Sequence, residues 1–127
     1  MFKRLSVLFF LVAATVVVSP PAHAATLTVN AVYCDVYSYP SSTTGLYRCE
    51  AFVSGGTGRY VSYTWNVTSN RGNYTVVTTT NTMERSCFAG NLGNHRESLV
   101  VMVTVKDSAG ATARNSSLTV DCGAPRD

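Results

Sequence analysis

The stretch SGGTGRYVSYTWNV, Ser54 to Val67, decides the fold. It opens on Gly55, Gly56 and Gly58 and runs into an alternation, with Val61, Tyr63, Trp65 and Val67 in one phase and Ser62, Thr64 and Asn66 in the other. A period of two in β-branched and aromatic residues is the pattern of a strand with one buried face. A glycine loop that cradles phosphate leads into a helix N-terminus; this one leads into a strand. The glycines therefore read as a reversal between two strands, where side chains would collide. Trp65, the only tryptophan, falls in the apolar phase and is expected to fill the space between two sheets.

The same period recurs on both sides. TLTVNAVY (Thr26–Tyr33) places Leu27, Val29, Ala31 and Tyr33 in one phase. LYRCEAFV (Leu46–Val53) sets Tyr47, Cys49, Ala51 and Val53 against Arg48 and Glu50, and SLVVMVTVKD (Ser98–Asp107) groups Leu99, Val101, Val103 and Val105. NYTVVTTT, TMERSCFA and the more polar ATARNSSLTVDC supply further strands. Turn residues separate them at Pro40–Gly45, Asn70–Asn73, Gly90–Asn94 and Lys106–Gly110, the last a tight hairpin that Asp107 would cap. No helical period is sustained. About seven short strands in about a hundred residues predict an all-β, two-sheet antiparallel sandwich.

The first residues predict export. Lys3 and Arg4 precede an apolar run from Leu5 to Val18, Ser19-Pro20-Pro21 breaks it, and Ala22-His23-Ala24 has the form of a signal-peptidase site. The run is short for the ~30 Å of hydrocarbon in a bilayer. Residues 1–24 are therefore expected to be a secretory signal peptide and 25–127 one extracellular domain, with no membrane association after cleavage. The chain carries ten Lys+Arg against seven Asp+Glu, a net charge of +3; losing Lys3 and Arg4 leaves eight against seven, or +1. Nucleic acid is accordingly not expected as a partner.

SGGTGRYVSYTWNV taken with VTVKDSAGATARNSSLTV resembles the polycystic-kidney-disease-type (PKD) and related bacterial immunoglobulin-like domains. Those domains carry a Gly-Gly-Thr turn, a Tyr-x-Trp strand and a late hairpin of the form VTVxDxxGxTA. The resemblance covers Tyr47 to Val120 and extends to small secreted actinobacterial immunoglobulin-like proteins with a similar four-cysteine layout. Trp65 is followed here by NVTSNRGN rather than an acidic Gly-Asp-Gly turn, so the broader immunoglobulin-like label is the one adopted. The resemblance implies a sandwich that contacts polymers or partner proteins rather than an enzyme.

The mature part holds all four cysteines, Cys34, Cys49, Cys87 and Cys122, an even count that reads as two disulfides in an exported domain. No two are close enough for the C-x-x-C pairs of a zinc site. Cys34–Cys49 with Cys87–Cys122 is favoured, because the first pair closes a local hairpin and the second joins the remaining ends. Cys49–Cys87 with Cys34–Cys122 is the rival, since the strands bearing Cys49 and Cys87 should be neighbours. Placing Cys34 at the end of its strand and Cys49 at the start of the next gathers all four at one pole.

Little in the chain suggests catalysis. His95 is the only histidine of the mature part, in a Gly/Asn-rich loop. Glu97 and Ser98 follow it too closely in sequence to converge as a triad. The other carboxylates form neither a glycosidase pair nor a calcium loop, so no catalytic residue, metal or cofactor is expected. Asn66, Asn73 and Asn115 match N-x-Ser/Thr by composition alone. Tyrosine concentrates around DVYSYPSSTTGLYR, between Cys34 and Cys49, and offers large contact area with few rotamers to freeze. Tyr37 and Tyr39, supported by Arg96, are the expected contacts for an extracellular protein or polysaccharide. The alternative is a small disulfide-stapled inhibitor or effector acting on a protein target.

Overall fold

The computed structural model describes residues 12–16, 25–90 and 96–123. The charged start of the expected leader, the Ala22-His23-Ala24 motif, His95 and Asp127 lie outside the described residues. Residues 12–16 carry no regular structure, and among the described residues no helix is long and apolar enough to cross a membrane.

Strands carry most of the remaining described residues: β1 (Thr28–Ser38), β2 (Thr44–Ser54), β3 (Tyr60–Ser69), β4 (Gly72–Thr78), β5 (Thr82–Phe88), β6 (Ser98–Asp107), β7 (Thr112–Ser116) and β8 (Val120–Asp121). They form two antiparallel sheets, one ordered β1-β2-β5 and one ordered β4-β3-β6-β7, with β8 also paired to β6. Eight strands stand where about seven were expected, because the last one is split. At the split, Ser117 Oγ accepts the Val101 N–H at 3.0 Å and Ser117 N–H donates to the Val101 carbonyl. A side chain thus replaces one rung of the ladder, and Leu118 is left exposed beside it.

The core lies between the sheets. Trp65 is fully buried beside Val67, Leu99, Val101, Val103 and Val105, facing Tyr47, Cys49, Ala51 and Met83 of the other sheet. Its indole N–H donates to Thr78 Oγ1 at 2.8 Å, so the one polar atom of the ring is satisfied. Val61 departs from its expected phase. A register shift between Tyr60 and Ser62 leaves it exposed at the head of β3.

A second shift corrects the reading of β1. Asn30 is an extra residue between the Val29–Val53 and Ala31–Phe52 pairs. One inserted residue moves all later side chains to the opposite face. Val32 is therefore buried, while Ala31 and Tyr33, expected inside, face solvent. The same edge closes against the other sheet through Asn115, whose amide donates to the Val29 carbonyl at 2.9 Å. Asn66 and Asn73 are likewise engaged, accepting from Thr75 Oγ1 and from the Ser69 N–H.

The disulfides are Cys34–Cys49 and Cys87–Cys122. Their placement differs from the expected single pole. Strands β1 and β2 run well past Cys34 and begin well before Cys49, so the two are direct cross-strand partners with Cα atoms 4.1 Å apart. Cys87 lies opposite Gly45, at the end of the sheet, and reaches across to Cys122 beyond β8. Strands β2 and β5 are neighbours as the rival pairing required, but Cys49 lies four residues from Gly45 along β2. That offset is about 13 Å at strand rise, too far for a bridge to Cys87.

Gly45 is where the second bridge constrains the sequence most closely. A Cβ there would sit 2.8 Å from Cys122 Sγ and 3.1 Å from Cys87 Sγ and Val36 Cγ1. Gly45→Ala is expected to cost about 1–3 kcal/mol, the usual range for overpacking. Urea denaturation of this variant, with and without alanine at both Cys87 and Cys122, checks the cause. The penalty should shrink once the sulfurs are gone.

Candidate functional site

Two ends and two outer faces are open to solvent, and most of the chemistry at the ends is spent on holding the fold. At one end the glycine turn meets the β6–β7 hairpin over a single carboxylate. Asp107 is 2 % exposed. Its Oδ1 accepts from the N–H groups of Ala109 and Ala111 at 3.0 and 2.9 Å, and its Oδ2 accepts from the Thr57 N–H at 3.1 Å. The expected hairpin cap is present, and it also clamps the turn of the previous connection. Gly56 has φ of 62° and no room for a Cβ, which would lie 2.5 Å from Asp107 Oδ2. A groove of about 340 Å³ runs past this clamp between Ala25–Leu27 and Ala109–Thr112.

The opposite end gathers Tyr39, Asn70, Arg71, Phe88, Arg96, Glu97 and Gly123. Tyr39 OH donates to the Gly123 carbonyl at 2.9 Å, and Arg96 pairs with Asp121 at 3.5 Å while lying against Gly123. Two of the residues expected to contact a partner are thus brought together, and both fasten the end of the chain. Asn70 donates to the Arg96 carbonyl and accepts the Ser98 N–H, and the Arg71 guanidinium sits 4.0 Å from the centre of the Phe88 ring. Glu97 is buried; its carboxylate accepts the Phe88 N–H at 2.9 Å, and its carbonyl accepts that of Cys122. It ties the ends of a loop, as a structural carboxylate does. Among the described residues no three His, Cys, Asp or Glu side chains gather into a metal-holding group.

Between the sheets the Tyr47 and Tyr74 hydroxyls hydrogen-bond to each other. Burial pushes the Tyr47 hydroxyl far above its ordinary pKa of 10.0, with the Tyr74 hydrogen bond and the nearby Glu97 acting the same way. Burial raises Tyr74 as well. A tyrosine kept neutral by the fold binds its proton more tightly folded than unfolded. Its contribution to stability is therefore complete below pH 10.0 and is lost as pH rises above it. Alkaline titration should show one phase of tyrosinate absorbance that appears only as the β-sheet signal collapses. That phase should diminish in Tyr47→Phe; full tyrosinate absorbance in the folded protein would contradict it.

The outer face of β1-β2-β5 is different, because its side chains are not consumed by the fold. Tyr33, Tyr37 and Phe52 are 62 %, 52 % and 47 % exposed. Tyr33 stands opposite Glu50, Asp35 opposite Arg48, and Arg48 opposite Glu84, with Arg48 Nε 4.0 Å from Glu84 Oε1. Tyr33, Asp35, Arg48 and Glu50 line a shallow depression of about 210 Å³. Tyr37 occupies a second bulge, between the Val36–Tyr47 and Ser38–Leu46 pairs.

Of the three expected contact residues, Tyr37 is on this face and Tyr39 and Arg96 are not. Tyr33 and Phe52 join it without having been expected. Phe52 was legible, since it falls in the polar phase of β2 with Arg48 and Glu50. Tyr33 was not, because the bulge at Asn30 reverses its side. No family model matches the chain, and neither a curated protein nor a solved structure matches it.

Proposed function

We propose that this chain is an exported, single-domain, immunoglobulin-like module that acts by binding rather than by catalysis, with the outer face of β1-β2-β5 as its contact surface. The observation that carries the reading is the exposure of Tyr33, Tyr37 and Phe52 on one sheet face. Exposed aromatic groups rimmed by polar residues characterise interaction surfaces, where large rigid rings give contact area at small entropic cost. Export is supported by the leader pattern and by two disulfides, which persist in oxidising compartments. The immunoglobulin-like label is supported by the division of strands between the sheets and by a tryptophan on the third strand packed across the core. The partner class is an extracellular protein or polysaccharide.

The triple replacement of Tyr33, Tyr37 and Phe52 by alanine tests this reading against the extracellular envelope fraction of the producing cells. Melting temperature should stay within about 4 °C of the parent, since a change of 1 kcal/mol moves a domain this size by roughly that much. Retention on the envelope should weaken at least tenfold, about 1.4 kcal/mol. Unchanged retention, or a loss that merely follows unfolding, overturns the assignment.

A further inference from the structure

The exposed carboxylates are unevenly divided between the two sheets. Glu97 and Asp107 are buried and Asp121 is paired with Arg96. The remaining described carboxylates, Asp35, Glu50 and Glu84, all lie on the outer face of β1-β2-β5 around one cation, Arg48, for a face charge of −2. The outer face of the five-stranded sheet carries one described carboxylate, Asp121 opposite Ser98 at its end, and Arg96 pairs with it. Register places Thr64 beside Thr104 and Val77, Asn66 beside Met102 and Thr75, and Ser62 beside Lys106. Arg114 stands opposite Thr104. Lys106 and Arg114, both exposed, give that face +2. Its uncharged part offers Val77, Met102 and threonine methyl groups, a surface on which aromatic rings can lie.

We infer that the occupant of the aromatic face is the five-stranded outer face of a second copy of this chain. The inference rests on the reading of that face as a contact surface and names its partner. Charge selects the mode of pairing. Acidic face on acidic face sets −2 against −2, and basic on basic sets +2 against +2, so both two-fold pairings are repelled. Acidic face on basic face pairs opposite signs, and each copy then keeps one face of each kind free. Such a contact is heterologous, and it generates rings or open filaments according to the rotation between successive copies. Sheet would pack on sheet at the ~10 Å spacing of stacked sheets.

Sedimentation velocity tests the pairing with two variants. Glu50→Lys with Glu84→Lys makes both faces basic, and Lys106→Glu with Arg114→Glu makes both acidic. The parent should associate with rising concentration, and the association should weaken with salt because the exposed charges are screened. Each variant alone should associate at least tenfold more weakly, with its melting temperature kept near the parent's. An equimolar mixture of the two should regain the association, since opposite signs again face each other. A parent that stays monomeric, or a mixture no more associated than its components, overturns the self-pairing. If the triple alanine variant nevertheless loses envelope retention, the contact surface stands and only its occupant is wrong. If retention is also unchanged, the surface itself is wrong.

Discussion

Replacing Trp65 with alanine is expected to destabilise the domain by about 3–5 kcal/mol, the range for deleting a large buried aromatic side chain. The indole is wholly buried at the middle of β3, stacked beside Tyr63 with ring centroids 6.3 Å apart. Its removal empties the centre of the sandwich and leaves Thr78 Oγ1 without the indole donor. Against a total stability of roughly 5–15 kcal/mol, the loss is a large share of the fold. Urea denaturation gives the magnitude. Trp65 fluorescence in the parent should be blue-shifted and move to the red on unfolding; a native spectrum like that of tryptophan in water would place the ring at the surface.

Asp107→Ala is expected to cost about 3–4 kcal/mol, although the residue sits at a turn. The change takes a charged acceptor from the N–H groups of Thr57, Ala109 and Ala111, and a hydrogen bond to a charged group contributes about 1.5–3 kcal/mol. The effects overlap because the three donors share one carboxylate. Asp107→Asn separates geometry from charge. Its single oxygen can serve Ala109 and Ala111, but its amide then points a donor at the Thr57 N–H. About half the loss should return. Full recovery with asparagine would mean that Thr57 does not depend on the carboxylate. Thermal denaturation of both variants reads the difference.

The clamp at Asp107 shows where the sequence was legible and where it was not. Asp107 announces a hairpin through the turn chemistry of Lys106–Gly110, a local signal. Its bond to Thr57 joins segments fifty residues apart, and nothing local in either segment records it. The division is the same along the strands. The phases of β2 and β6 can be read directly, because uninterrupted alternation fixes a face. In β1 the bulge at Asn30 breaks the phase without a glycine or proline to mark it, so alternation alone groups Tyr33 with Leu27 and Val29. The short connection of residues 39–43 looks like a longer loop in the sequence for a related reason. Cysteine and tyrosine suggested a bridged, aromatic loop, whereas the residues around them extend into paired strands.

That change moves the expected contact from a loop to a sheet face. The Cys34–Cys49 bridge stiffens two adjacent strands of that face rather than a loop above it. A rigid surface loses little entropy on binding. Tyr39 and Arg96, fixed to Gly123 and Asp121, stabilise the pole instead.

Hydroxyl-radical footprinting of the protein, kept dilute enough to be unassociated, with and without the envelope fraction of the producing cells tests the contact surface most directly. Mass spectrometry then reads the side chains that lose access to solvent. Oxidation of Tyr33, Tyr37 and Phe52 should fall at least tenfold on binding, while Leu118, 88 % exposed and away from this face, should oxidise as before. Undiminished oxidation of the three rings, with protection instead at Tyr39 or Leu118, would contradict a binding surface on β1-β2-β5.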